Sequence, residues 1–236
     1  MTDPFTVPPQ KKTGCLPRAS KPGEWFPLAS ERVETIPRGE WPSLIKSNRN
    51  SPLIWDIFDQ DGVGSCASEA STQAVCACRE LQGQERVPLN PWFVYHHVSG
   101  GVDRGSSIDE NLRFIRDKGV ASREVWPRNK GWRSNPSSEA YEDAKEYRIE
   151  EAYDVQNTDE LVSCLFKGFP VVFGYRPGGG GHAVLAVDLE SLQALIFANS
   201  WDESWGDQGF GELPLSRIDW RFGAWAVRST TVNREV

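Results

Sequence analysis

The sequence contains no long hydrophobic run and no cluster of basic residues. A membrane-spanning helix needs about 20 apolar residues in succession, and no apolar stretch of this chain reaches that length. Acidic residues outnumber basic residues by 33 to 26, which gives a net charge of −7. Nucleic-acid-binding domains usually carry a basic face. We therefore expect neither a membrane protein nor a nucleic-acid-binding protein.

Histidine and cysteine are also scarce, at three and five residues among 236. The cysteine count is odd, and the first five residues have neither the basic start nor the apolar core of a secretory signal. These features argue against a disulfide framework and predict a cytoplasmic chain with reduced cysteines. Cys76 and Cys78 are one residue apart and there is no second cysteine pair, so we expect no zinc finger or ribbon.

The chain divides into a proline-rich beginning and a longer main part. Eight prolines lie within the first 42 residues, which disfavours a regular helix there. Residues 1–35 are predicted to form an arm that docks on the body or on a protein partner, because Trp25 and Phe26 are too apolar for a free tail. A disordered leader to about Pro22 is the alternative. Residues 36–236 are predicted to form the main domain.

Helices are predicted in the first part of the main domain and strands in its last third. Small residues recur at helical spacing over residues 65–81, and Asn90, Ser107 and Asn157 are typical helix N-caps. Apolar runs separated by Gly and Pro predict strands over residues 171–175, 182–189, 194–198 and 223–228. This order predicts an α+β fold, with a helical lobe over about 55–135, a β-rich lobe over about 136–228, and a cleft between them.

Three short segments carry residues that suit nucleophilic chemistry. In the first, Cys66 begins the predicted helix after a glycine-containing loop and follows Gln60 by six residues. A helix N-terminus favours the thiolate form of a cysteine. In the second, His182 begins a strand after a glycine run, and in the third, Asn199 precedes Trp201 by two residues. Taken singly, each has a structural explanation: a small core cysteine, a structural histidine and an aromatic turn.

Together the three segments resemble the papain-like cysteine proteases. The chain order Gln60, Cys66, His182, Asn199 matches that family, as does the run Asn-Ser-Trp-x-x-x-Trp-Gly-x-x-Gly-Phe-Gly that begins at Asn199. The resemblance spans about residues 37–228 and is strongest to bacterial and viral members. It implies a two-lobed fold, with the cysteine on a central helix of the helical lobe. The other lobe would be an antiparallel, barrel-like sheet, and the active-site cleft would lie between the two.

The resemblance implies a cysteine endopeptidase that acts on proteins or peptides and needs no metal or organic cofactor. Cys66 would be the nucleophile, paired with His182 as imidazolium, and this pairing is expected to lower the thiol pKa. Asn199 would orient the imidazole. The Gln60 side chain and the Cys66 backbone N–H would form the oxyanion hole.

The resemblance also implies a substrate-binding set of residues. Gly105 and Ser106 would present their backbone to an extended peptide, as in strand addition. Gly181 would line the cleft before the catalytic histidine, and Trp201 would cover the His–Asn pair.

Departures from the family's pattern leave alternatives open. Ala67 stands where a tryptophan usually follows the nucleophile, Ser106 stands where glycine is common, and the loop before His182 is short. Val63 replaces a disulfide cysteine of secreted members, which agrees with a reducing compartment. The alternatives are a catalytically weak or inactive protein-binding module on the same fold, and a related transpeptidase or amidase. We expect no family-type helical pro-segment, because the preceding residues are few and proline-rich.

Overall fold

A computed structural model describes residues 3–45, 47 and 49–232. The first two residues of the predicted arm and residues 233–236 of the predicted main domain lie outside this part of the chain. The α-helices are α1 (Trp41–Leu44), α2 (Cys66–Leu81), α3 (Pro91–Val98), α4 (Ile108–Lys118), α5 (Ser138–Ala144) and α6 (Thr158–Phe166). The strands are β1 (Cys15–Leu16), β2 (Ser106–Ser107), β3 (Ile149–Val155), β4 (Val171–Tyr175), β5 (His182–Ser191), β6 (Ala194–Ala198), β7 (Phe210–Pro214) and β8 (Ala224–Thr230). Short 3-10 helices lie at Ala29–Glu31, Ser51–Leu53, Arg128–Lys130 and Leu215–Arg217.

The helix predicted over residues 65–81 is confirmed as α2, which is buried from Cys66 to Arg79. Alanine has the highest helix propensity, and the small side chains of Ala67, Ala70 and Ala74 allow α2 to pack closely against β5 and β8. The helices α3 and α4 pack on α2 and on each other and complete the helical lobe. This lobe places the N-terminus of α2 at the boundary with the sheet.

A six-stranded antiparallel sheet forms the β-rich lobe, in the order β3-β8-β4-β5-β6-β7. The four predicted strands correspond to β4, β5, β6 and β8. Side chains alternate between the two faces of a strand, so β5 contributes Ala183 and Leu185 to the core around α2 and Val184 and Ala186 to the core that includes α6. The predicted α+β fold is confirmed, with a helical lobe beside an antiparallel sheet.

The N-terminal residues pack along both lobes. Ala29, Val33 and Trp41 belong to the core on the α6 side of the sheet, and Phe26 belongs to the core around α2. The preceding residues form β1, which pairs in parallel with β2. Over residues 3–45, 47 and 49–232, no helix combines the length and the apolar character needed to cross a membrane.

Candidate active site

Cys66 is the first residue of α2. Its side chain is completely buried, with 0% exposure. The thiol makes hydrogen bonds with the backbone of Ala183 and of Gly14. Because Ala183 directly follows His182, the thiol lies beside the start of β5, where the predicted catalytic histidine begins the strand.

Burial raises the pKa of the Cys66 thiol to about 11, and the backbone hydrogen bonds only partly offset this effect. We expected a lowered pKa from the helix N-terminus and a neighbouring imidazolium. That expectation is wrong for this state of the chain, because loss of water disfavours the thiolate more strongly than the helix terminus favours it. The thiol is therefore neutral near pH 7.

Antiparallel pairing of β5 with β6 brings His182 and Asn199 together, since Asn199 directly follows β6. His182 Nε2 lies 2.7 Å from Asn199 Oδ1. A carboxamide oxygen only accepts, so Nε2 carries the proton in this arrangement. The other ring nitrogen, Nδ1, is buried and has no hydrogen-bond partner among the described residues. The neutral imidazole can therefore take a proton from a neighbouring group through Nδ1.

The indole ring of Trp201 covers the imidazole of His182. Their ring centroids lie 4.4 Å apart and the planes meet at 23°, which is a stacked arrangement. Burial lowers the pKa of His182 to about 4, although the hydrogen bond to Asn199 acts in the opposite direction. The imidazole is therefore neutral near pH 7, like the thiol, and the two groups do not form an ion pair in this state.

Gln60 is fully buried, and its side-chain amide is held at both ends. The Nε2 group donates to the carbonyl oxygens of Val63, at 2.6 Å, and Lys12, at 3.1 Å. The Oε1 atom accepts from the hydroxyl of Ser200 at 2.8 Å. Sequence reasoning assigned no role to Ser200, although it lies within the Asn-Ser-Trp run. The carbonyl oxygens of Val63 and Lys12 only accept, so they fix Nε2 as the donating end of the amide, and the Ser200 hydroxyl satisfies Oε1.

The predicted substrate-binding backbone already holds a peptide, which is the chain's own arm. Ser106 donates its N–H to the carbonyl oxygen of Gly14 at 2.9 Å. The N–H groups of Gly14 and Cys15 donate to the carbonyl oxygen of Gly181 at 3.1 and 2.9 Å. The arm therefore crosses the cleft between the two lobes and bonds to both of its walls.

Glycines permit the close approach of the arm to its surroundings. A methyl group on Gly14 would lie 2.6 Å from the carbonyl carbon of Gly64, and one on Gly105 would overlap the carbonyl group of Gly14. Gly105 also has a φ of +81°, which favours glycine. The arm thus forms a tight layer between Gly64 and Gly105. The described residues of the arm contain no α-helix, and Cys66 and His182, beside which the arm lies, are completely buried.

Comparison with known proteins agrees with this geometry. No protein-family model matches the chain. An uncharacterised peptidase C1-like protein of Acanthamoeba polyphaga mimivirus is 29% identical, over 71% of this chain and 67% of the viral protein. Xylellain, a cysteine protease from Xylella fastidiosa, superposes with a TM-score of 0.72 at 22% identity, covering 97% of this chain and 99% of xylellain. The chain has the papain-like cysteine protease fold.

Other papain-like structures are similar over most of the chain. Procathepsin L2 of Tenebrio molitor has a TM-score of 0.67 at 16% identity, covering 98% of this chain and 83% of its own. Procathepsin B of Trypanosoma congolense has a TM-score of 0.65 at 17% identity, covering 93% and 87%. The predicted resemblance to papain-like proteases is confirmed. With the peptidase C1-like relative, these similarities support a cysteine peptidase.

Three departures from the papain-like pattern are accommodated in the structure. Ala67, where a larger residue is usual, is fully buried in the core around α2. All five cysteines are buried free thiols. The valine at position 63 therefore leaves no cysteine of a broken pair elsewhere in the chain. The short glycine loop before His182 contacts the arm, since a methyl group on Gly180 would overlap the side chain of Thr13.

Proposed function

We propose that the protein is a cysteine endopeptidase in which Cys66, His182 and Asn199 form the catalytic triad. The observation that carries this proposal is the orientation of His182. Its Nε2 is engaged by Asn199, which leaves Nδ1 buried and without a partner among the described residues. The residue that follows His182, Ala183, makes a backbone hydrogen bond with the Cys66 thiol. A core histidine without a function would be expected to have both ring nitrogens satisfied or exposed.

The catalytic cycle begins with transfer of the thiol proton of Cys66 to Nδ1 of His182. The thiolate attacks the scissile carbonyl carbon, and a C–S bond forms while the carbonyl oxygen becomes an oxyanion. Gln60 Nε2 and the Cys66 N–H stabilise that oxyanion. The imidazolium then protonates the leaving amine as the C–N bond breaks. Finally, His182 deprotonates a water molecule that hydrolyses the thioester and regenerates the thiol.

The arm keeps this machinery inactive. The carbonyl oxygen of Lys12 accepts the Gln60 hydrogen bond that the oxyanion would use. Exclusion of water disfavours the charged forms of both Cys66 and His182. A substrate can enter the site only when the arm has left the cleft. Cys66 and His182 can likewise form an ion pair only then. The protein described here is therefore a latent form of the proposed enzyme.

A Gly14→Ala variant tests the proposal, because the added methyl group cannot fit against Gly64 while the arm is seated. We expect this full-length variant to cleave an unstructured protein such as casein, and the parent to cleave it slowly or not at all. The double variant Gly14→Ala/Cys66→Ala should be inactive. If the folded Gly14→Ala chain exposes Cys66 to alkylation but cleaves no peptide bond, the peptidase proposal fails.

The occupied cleft also favours a second candidate, a protein-binding module without catalysis. Cys66 and His182 are neutral and fully buried in the closed state, as in a site that performs no chemistry. For this candidate, Gly14→Ala would bind peptides but neither cleave them nor form an acyl-enzyme. Products formed with an added amine nucleophile would instead identify the transpeptidase or amidase alternative.

A further inference from the structure

The part of the arm that lies in the cleft carries only positive charge. Lys11, Lys12 and Arg18 are its ionisable side chains other than Cys15, and it contains no carboxylate between residues 10 and 20. Residues 1–20 have a net charge of +2, so the remainder of the chain carries −9 of the total charge of −7. The first 20 residues and the rest of the chain are therefore of opposite charge.

Each of these cations is paired with a carboxylate of the body. Lys11 Nζ lies 2.7 Å from Asp59 Oδ1 and 2.8 Å from Asp202 Oδ2. Lys12 Nζ lies 2.5 Å from Asp103 Oδ2. Arg18 Nη2 lies 2.6 Å from Asp154 Oδ2, and its Nη1 lies 3.3 Å from Oδ1 of the same carboxylate. The four partners, named here the cleft carboxylates, are Asp59, Asp103, Asp154 and Asp202.

The cleft carboxylates are placed around the proposed nucleophile. Lys11 and Lys12 precede Gly14, the arm residue that contacts Cys66, and Arg18 follows it. The backbone of Asp59 pairs with that of Trp201, which covers His182, and Asp202 is the next residue. The arm is therefore held by ion pairs on both sides of Gly14 along the chain.

Two of the cation sites are built into the fold. Asp103 is fixed by the hydroxyl of Tyr95 at 2.7 Å and by the N–H of Gly64 at 2.8 Å, both of which donate to its Oδ1. The Asp154 side chain, in β3, is only 2% exposed. A carboxylate buried to this degree is costly without a compensating cation. Departure of the arm therefore removes the cations from these two carboxylates, and a cationic segment of a substrate can replace them.

The Lys11 site is the most enclosed on the cation side. The Lys11 side chain is 7% exposed, and two carboxylates converge on its single ammonium group. Burial alone would lower the pKa of Lys11, but the hydrogen bonds to Asp202 and Asp59 outweigh burial and raise it. The two carboxylates therefore favour a positively charged group at this site.

We infer that the open cleft selects cationic segments of polypeptide substrates and that the cleft carboxylates bind their lysine and arginine side chains. This inference rests on the proposed peptidase function and adds a substrate class to it. The arm is the first example of such a ligand, since it combines backbone bonds to Ser106 and Gly181 with three ion pairs. The backbone hydrogen bonds do not depend on the sequence of the bound peptide, whereas the ion pairs require positively charged side chains.

Peptide binding tests the inference without requiring catalysis. The protein is the full-length Gly14→Ala/Cys66→Ala variant, and the probe is a fluorescein-labelled peptide with the sequence of residues 10–20, with serine in place of Cys15. The comparison peptide has glutamine at the three cationic positions. We expect it to bind at least about tenfold more weakly, and Asp103→Asn should reduce the preference. High salt should weaken only the cationic peptide. Equal affinities for the two peptides would overturn the inference.

A second measurement uses the otherwise unmodified chain, so it does not depend on the Gly14 variant. Lys11→Gln and Arg18→Gln each remove an arm cation outside the catalytic machinery, and Lys21→Gln is the matched control at an exposed position beyond the cleft. We expect alkylation of Cys66 to rise about tenfold in the first two variants and to stay unchanged in the third. Equal rates in all three would show that charge does not hold the arm.

The two proposals fail separately. Charge-selective binding without hydrolysis by Gly14→Ala would refute the peptidase function and leave the cationic ligand class standing. Hydrolysis with no preference for lysine or arginine near the cleaved bond, measured on a peptide library, would refute the ligand class and leave the peptidase standing.

Discussion

Replacing Gly14 by alanine should convert the buried thiol of Cys66 into a reactive one. The added methyl group would lie 2.6 Å from the carbonyl carbon of Gly64, a separation that Cβ atoms essentially never show. Gly64 belongs to the loop that leads into α2, so the obstruction is backbone and cannot rotate away. The arm must therefore lift off Cys66, while the catalytic residues themselves are unchanged.

The size of the effect follows from the thiol pKa. At a pKa of about 11, roughly one Cys66 in 10⁴ is a thiolate at pH 7. Contact with water removes the desolvation that raises this pKa, and a free cysteine near pKa 8.5 is about 3% thiolate at pH 7. Alkylation should therefore accelerate by about 300-fold. An imidazolium at His182 in the open site would increase the rate further.

Iodoacetamide labelling followed by intact mass and peptide mapping measures this change. Gly39→Ala is the matched control, because a methyl group at that position meets nothing within 4 Å. We expect rapid single labelling of Gly14→Ala at Cys66 and slow labelling of Gly39→Ala and the parent. Thermal unfolding must show that both variants are folded. A folded Gly14→Ala chain that labels as slowly as the parent would refute the role assigned to the arm.

Three further predictions concern the oxyanion donor, the buried imidazole and the core. In the Gly14→Ala background, Gln60→Ala should lower kcat/KM by about 10²–10³ with Cys66 alkylation unchanged; an unaltered kcat/KM would remove Gln60 from the oxyanion hole. Because burial lowers the pKa of His182 to about 4 from 6.5, the unfolded chain binds this proton first, and stability falls between pH 6.5 and 4. This loss of unfolding free energy is about 3 kcal/mol and is measured by denaturant titration at each pH. His182→Gln should abolish the loss, and a variant with the same pH profile as the parent would contradict the assignment. Trp41→Ala should cost about 3–5 kcal/mol in urea unfolding, because Trp41 is 1% exposed in the core; a loss under about 1 kcal/mol would contradict its core role.

Local signals made the helices and the inner strands predictable. The Ser107 and Glu110 side chains form both halves of a capping box, so the start of α4 is determined by residues three positions apart. The strands β4, β5 and β6 are apolar runs bounded by turns, and each lies between two neighbours in the sheet. Such elements carry their pattern within a few residues, which a sequence displays directly.

The edge strands β3 and β7 lacked that pattern. In β3, Glu150 and Glu151 interrupt the apolar alternation, and only pairing with β8 makes the segment a strand. The segment Phe210–Pro214 includes a glycine and ends in a proline, and it becomes β7 through its pairing with β6. Edge strands pair on one side and face solvent, so their sequences tolerate charge and proline.

The course of the arm is determined by contacts that are distant along the chain. Asp109 accepts hydrogen bonds from the N–H groups of Ala19 and Ser20, which are about 90 residues away, and Gly181 accepts from Gly14 and Cys15. A local sequence pattern cannot show hydrogen bonds between residues that are so far apart in the chain. The thiol pKa was mispredicted for the same reason, because the helix terminus is visible in the sequence and the layer that excludes water is not.

Labelling with an epoxysuccinyl inhibitor tests the central claim most directly, since this electrophile reacts with activated cysteine nucleophiles. The measurement is the intact mass of the Gly14→Ala chain after brief exposure, compared with the parent and with Gly14→Ala/Cys66→Ala. We predict one adduct on Cys66 of Gly14→Ala, little on the parent, none on the double variant, and no label on the other four cysteines. No adduct on folded Gly14→Ala, or an adduct on another cysteine, would contradict the assignment of Cys66 as a nucleophile hidden by the arm.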